Sequence, residues 1–141
     1  MSDDLYEDGI VRLAKAAHGA GKLAVADISA MIDNPLCGDR VTVEAMVDDG
    51  RVAALGHTVK GCLLCKAAAS MLGLHANGLT AAEVTTNLAA LDGLLQHGAA
   101  PPSHAWPELA QFAPVAKHKS RFDCVRLPLQ AASKLLSKEP S

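Results

Sequence analysis

Aromatic side chains are scarce in this sequence: its 141 residues include one Trp, one Tyr and two Phe. With so few large anchors, aliphatic packing must carry the core. Basic clusters are missing as well. Thirteen Lys and Arg against fifteen Asp and Glu give a formal net charge of -2, and no basic block interleaved with aromatics offers the face that nucleic acid requires. No window approaches the roughly 18 uninterrupted apolar residues that a membrane span needs. Asp3, Asp4, Glu7 and Asp8 stand where a leader would carry positive charge. These absences argue against nucleic-acid and membrane partners and lead us to expect a soluble, cytoplasmic protein. No Ser-His-Asp order, phosphate loop or paired-carboxylate helix stands out. The length fits one domain, residues 1–141, able to bury a core without disulfide staples.

What is present reads as a mixture of helix and strand. Residues 3–18, DDLYEDGIVRLAKAAH, begin with acidic N-cap candidates and place Tyr6, Ile10, Leu13 and Ala17 on one helical stripe. Gly19 and Gly21 break that helix, and LAVADISAM at 23–31 predicts a short strand. From Arg40 to Val59 two β-rich runs flank DDG at 48–50, a hairpin with glycine supplying positive φ. Alternation at Val41, Val43 and Ala45 turns one face toward a helical layer. Cys62 to Gly73 reads as a buried helix ending near a glycine. Thr80 and Glu83 form a capping box before Val84, Leu88, Leu91 and Leu95, and Gly98 is the stop. In the proline-rich stretch 98–119 only a short helix over Pro107–Phe112 is expected, packed through Trp106, Leu109 and Phe112. A last helix spans about Arg121–Lys138, with Pro128 either beginning its main part or kinking it.

Four cysteines remain, and in a reducing compartment they are more naturally ligands, nucleophiles or core residues than disulfides. Cys37 sits in the turn DNPLCGD and Cys62 at a helix start just after the hairpin returns. Antiparallel strands joined by a tight turn bring their outer ends together, so these two thiols should be neighbours. The amino end of the helix favours the thiolate of Cys62. Asp39, two residues beyond Cys37, adds a harder and more replaceable oxygen, so a set of three sulfurs and one oxygen could bind metal yet keep one exchangeable corner. Alternatively Asp39 merely caps its turn. Cys62 and Cys65 form CLLC, the spacing of a thiol redox pair, although the chain lacks a thioredoxin-like alternation of strand and helix. His57 is expected to point along a strand, and His18, His75, His97, His104 and His118 to be solvated or capping.

NPLCGDRV, a hairpin, GC at a helix start with AAAS shortly after, and RFDCVRLPLQA follow one another in an order that resembles the iron-sulfur cluster assembly scaffold family known as IscU and SufU. The resemblance implies an α+β fold in which a small antiparallel β-sheet packs against helices. It implies metal or cluster ligands at Cys37, Asp39, Cys62 and Cys124. Arg121 before the last cysteine, Leu127-Pro128 after it, and the extra stretch ahead of it are similar to the SufU-like branch. That branch implies zinc on three cysteines and an aspartate, and a persulfide accepted from a cysteine desulfurase, with Cys37 as the acceptor. The protein would then be a sulfur carrier or accessory rather than a standalone enzyme. The alternative is a scaffold on which a transient 2Fe-2S cluster is assembled and passed to apo iron-sulfur proteins or cluster carriers. A structural zinc module for protein binding is a third reading. Two departures stand out: His18 is followed by GAGKL where the family carries an HYKNP-type segment, and Cys65 is extra, a spare ligand, a resolving thiol or a buried packer.

Overall fold

Alternating side chains select the inner face of a sheet, and here Val41, Val43 and Ala45 are wholly buried, while Thr42 and Glu44 between them are half-buried and Arg40 and Met46 on either side are exposed. The computed structural model describes residues 8–34 and 38–137. Strands β1 (Ile28–Asn34), β2 (Asp39–Asp48) and β3 (Arg51–Lys60) form one antiparallel sheet in the order β1-β2-β3. The β2–β3 turn is Asp49-Gly50, with φ of 54° and 75°. Two successive left-handed residues are what a two-residue hairpin turn of the right twist demands. The ladder then runs from Asp48 opposite Arg51 to Arg40 opposite Lys60, with one irregularity at Met46/Val47.

Helix α1 (Asp8–Ala16) buries Ile10 and Leu13 and packs on α2 (Leu63–Leu74). Of the expected stripe, Tyr6 lies outside the described residues, and Ala17 is not part of the helix: it takes φ of 47° and is exposed. Gly73 stands next to last in α2, near its end as expected. A Cβ at Gly73 would collide with the carbonyl oxygen of His18, so glycine lets the exit of α1 cross the helix.

The strand expected over 23–31 begins at Ile28, because the residues before it are committed elsewhere. The segment 19–27 is a strap across the outer face of the sheet. At the β3 edge, Gly19 O accepts from His57 N at 3.0 Å and Gly21 N donates to His57 O at 2.8 Å. Midway, Leu23 N donates to Glu44 Oε1 at 2.7 Å. At the β1 side, Asp27 N donates to Ala45 O at 2.9 Å. Gly56 lies under the strap, where a Cβ would sit 2.5 Å from Gly21 O.

On the inner face, α2 packs against β3, and α4 (Phe122–Ser137) against β1, β2 and α2. Pro128 lies within α4; it has no N–H to offer the carbonyl four residues back, that of Cys124. Leu64, Met71, Leu72, Leu127, Leu129 and Leu135 are buried between these layers, each worth about 1.5–3 kcal/mol of transfer free energy. Helix α3 (Ala81–His97) is capped as its sequence demands, with Thr80 Oγ1 accepting from Glu83 N at 3.2 Å and Gly98 at φ of 65°. The short helix expected at Pro107–Phe112 is a longer 3₁₀ segment, Pro107–Lys117. It is fastened by Asn87, whose Oδ1 accepts from Trp106 N at 2.7 Å. The His75 ring stacks on Trp106 at 4.8 Å and its Nε2 meets Glu108 Oε1 at 2.5 Å.

Candidate metal centre

The open end of the β2–β3 hairpin, opposite its turn, gathers three of the residues expected at a site. Asp39 opens β2, is buried, and faces Asn34 of β1 in the ladder. Cys62 is the N-cap of α2, half-buried, and its side chain caps no backbone amide. Cys124 lies in the first turn of α4 and is buried. One ligand atom from each of Asp39, Cys62 and Cys124 lies within 4.8 Å of the others. The Cys62 thiol donates to Asp39 Oδ2 at 3.7 Å.

Two helices aim their amino ends at this point. The first-turn amides of α2 and α4 carry the positive end of each helix dipole, which favours anionic sulfur and oxygen between them. A tetrahedral zinc with bonds of about 2.0–2.3 Å holds its ligands roughly 3.5–3.8 Å apart, and thiolate with carboxylate is a donor set that zinc and iron both take. The Cys62–Asp39 separation of 3.7 Å matches that spacing, so the residues present fit such an ion.

Gly61 is a site residue that sequence reasoning named only within the GC at a helix start. A Cβ there would lie 2.8 Å from Asp39 Cγ and Oδ1, so its bare backbone makes the space in which the carboxylate reaches Cys62. The only signal was a glycine directly before a cysteine. Cys37 lies outside the described residues. Cys65 does not join the cluster of Asp39, Cys62 and Cys124 and is wholly buried among the core residues of α2. His57 is likewise elsewhere. Its Nε2 lies 2.7 Å from His18 O, and burial pushes the imidazole below its ordinary pKa although the carbonyls of His18 and Ala69 pull the other way. Near the site Arg40 pairs with Asp33 at 2.6 Å, which holds the Asp33 carboxyl below the usual range.

A three-stranded antiparallel sheet backed by helices, with two thiols and a carboxylate converging where two helices begin, defines an α+β protein with a candidate soft-metal centre. Its relatives agree with that class. The family described as NifU-like N terminal domain matches residues 5–121, and the chain belongs to that family. The match stops short of Cys124, which the packing of α4 brings to the other two. Two proteins of Archaeoglobus fulgidus, iron-sulfur cluster assembly scaffold proteins IscU 1 and IscU 2, are each 30% identical over 79 residues, 56% of this chain and 52% of theirs. The chain thus spans about half the length of these curated relatives. Among solved structures, a NifU-like protein (N-terminal) from Brucella abortus superposes with a TM-score of 0.89 at 29% identity, covering 96% of this chain and 94% of that one. A putative SUF-system scaffold from Fervidobacterium islandicum shares the fold with a TM-score of 0.86 at 20% identity, covering 96% and 99%. No helix among the described residues is long and apolar enough to cross a membrane.

Proposed function

We propose that the chain is a single-domain iron-sulfur cluster assembly protein in which Cys37, Asp39, Cys62 and Cys124 hold zinc and Cys37 accepts persulfide sulfur from a cysteine desulfurase. The observation that carries this reading is the approach of Asp39, Cys62 and Cys124 to within 4.8 Å. Membership of the NifU-like family and the printed names of the Archaeoglobus relatives support the assignment to cluster assembly. A site of thiolates needs a reducing compartment, so the cytoplasm is its proposed location.

In this reading the residues divide the work. Cys62 and Cys124, anchored at two helix starts, are the fixed ligands, and Asp39 is the exchangeable one because a carboxylate oxygen holds a soft ion less firmly than sulfur does. Zinc, when bound, would keep the thiolates coordinated and shielded from oxidation. A released Cys37 thiolate attacks the terminal sulfur of the donor's persulfide; a new S–S bond forms, the old one breaks, and the donor cysteine leaves as thiolate. No net oxidation occurs. A second reading, favoured by the word scaffold in the relatives' names, has a 2Fe-2S cluster assembled on the same ligands and handed to apo-proteins or cluster carriers.

Native and denaturing mass spectrometry of anaerobically purified protein, before and after incubation with a cysteine desulfurase and L-cysteine, separates these. One bound zinc beforehand and the mass of one added sulfur on Cys37 afterwards is the expected result. Metal without persulfide, beside a demonstrably active cognate desulfurase, would turn the site into a static metal module. Iron with acid-labile sulfide would favour the cluster scaffold.

A further inference from the structure

β3 is an edge strand, and its outward backbone is covered at two places. Near the turn, Val52 N donates to Leu79 O at 2.9 Å and Gly78 N donates to Val52 O at 2.8 Å. In the middle, the strap bonds both backbone groups of His57 through Gly19 and Gly21. Antiparallel ladder residues alternate in the direction of their N–H and C=O. Val59, two residues on from His57, therefore turns both groups outward as His57 does. By then the strap has left at Gly21 to cross the sheet. Among the described residues nothing pairs with the backbone of Val59 on that side.

In place of a pairing strand there is a cavity of about 410 Å³, lined by Ala14, Ala17, Ala20, Gly21, Val59 and Lys66 among others. Small side chains leave the room. No carboxylate lines it, and Lys66 makes no ion pair with another described residue.

We propose that this groove receives an extended acidic segment of a partner protein, which adds to β3 as a further strand. Its backbone would exchange hydrogen bonds with Val59 N–H and C=O, continuing the short ladder that the strap begins at His57, and one of its carboxylates would meet Lys66. An uncovered edge with both donor and acceptor outward is a template for strand addition. The charges choose the occupant. A second copy of this chain would bring another Lys66 up to the one cation among the described residues lining the groove, whereas an acidic segment meets that lysine and no lining carboxylate. Lys66 N donates to Cys62 O at 3.1 Å, so a segment docked here lies one helical turn from the candidate metal centre. The groove owes nothing to what the thiols hold.

The test is a titration of the isotope-labelled full chain with acetyl-Val-Asp-Val-Asp-Val-amide at millimolar concentration, followed by NMR and amide exchange. Expected are shift changes confined to residues 14–21 and 57–66, and exchange at Val59 slowed about tenfold at saturation. Lys66→Glu should weaken binding by about fivefold and favour the Val-Lys-Val-Lys-Val peptide instead. An acidic peptide N-methylated at its central residues should lose the protection of Val59. Cys62→Ser should bind the peptide as the wild type does even where metal analysis shows the centre emptied, which separates this docking from the metal reading. Three results would overturn the proposal: no response to the acidic peptide, equal binding of the acidic and basic peptides, or protection of Val59 that appears with protein concentration alone, the mark of a second copy.

Discussion

The two ends of the β2–β3 hairpin are built by different means. At the closed end, Asp49 and Gly50 make the turn from their own backbone preferences, with φ of 54° and 75° and no help required from distant residues. At the open end nothing local suffices. Asp39 and Cys62 meet because the ladder brings them together, Gly61 clears the space, and Cys124 arrives from α4 at the far end of the chain. A hairpin thus separates two duties: the turn fixes register, and the register positions chemistry some ten residues away. Changes at the open end should therefore alter metal binding far more than folding, and changes at the closed end the reverse.

The largest effect should come from removing a residue proposed as a fixed ligand. Cys124→Ser is expected to lower zinc affinity by about 100-fold or more while leaving the fold recognisable by far-ultraviolet circular dichroism. Cys65→Ser is the paired control. It should keep the metal and lose about 1–2 kcal/mol of stability, because a hydroxyl replaces a wholly buried thiol. Zinc competition with a chelator reads the first and denaturant unfolding of the metal-free protein the second. Loss of metal in the Cys65 variant would make that thiol a ligand and redraw the centre.

Next comes Gly61→Ala, which touches no metal and adds one methyl. Its Cβ would lie 2.8 Å from the Asp39 carboxylate, pushing it from Cys62. Zinc affinity should fall by about tenfold, the scale of losing a group that orients a ligand, and the rate of metal release should rise. Unchanged release would mean that Asp39 has slack enough to move without consequence. At the closed end, Gly50→Ala places a Cβ at φ of 75° and should cost about 1 kcal/mol of stability, with zinc affinity unaltered. A variant there that lost metal would erase the division between the two ends.

How much of this was legible in the sequence follows the same division. The hairpin and its turn could be read because alternation and DDG are local signals; from the hairpin the sequence set Cys37 beside Cys62, and Cys37 lies outside the described residues, whereas the approach of Asp39 to Cys62 is a finding of the structure. The joining of Cys124 to that pair could not be derived from spacing, since it depends on α4 crossing the inner face of the sheet; a family resemblance anticipated it. Gly61 was illegible because its role is the absence of a side chain beside a carboxylate from another strand. The residues before Ile28 have the composition of a strand, yet their hydrogen bonds go to β3, to Glu44 and to β2 in turn, a use of backbone that period alone does not reveal. The 3₁₀ segment runs on past Phe112, with Pro114 inside it, because Leu109, Phe112 and Val115 are all buried.

The smallest effect tests the region between the two ends, where His57 ties β3 to the strap. Burial holds its folded-state pKa below the ordinary value, which for an imidazole is about 6.5. Above that pH both folded and unfolded forms are neutral and the group contributes no pH dependence. As pH falls through about 6.5, the unfolded chain takes up a proton that the folded chain refuses, so stability must decline with acidification. The melting temperature of the metal-free protein should fall between roughly pH 7 and pH 5, and part of that slope should vanish in His57→Gln, although the variant starts lower for want of the bond to His18 O. Using metal-free protein removes the competing protonation of thiolate ligands. Equal slopes in the two proteins would mean that His57 is not held neutral by its surroundings, and that the strap leaves it open to water. A reduced slope with zinc affinity intact at neutral pH would show that the strap and the candidate metal centre, five residues apart on the chain at His57 and Cys62, are energetically separate.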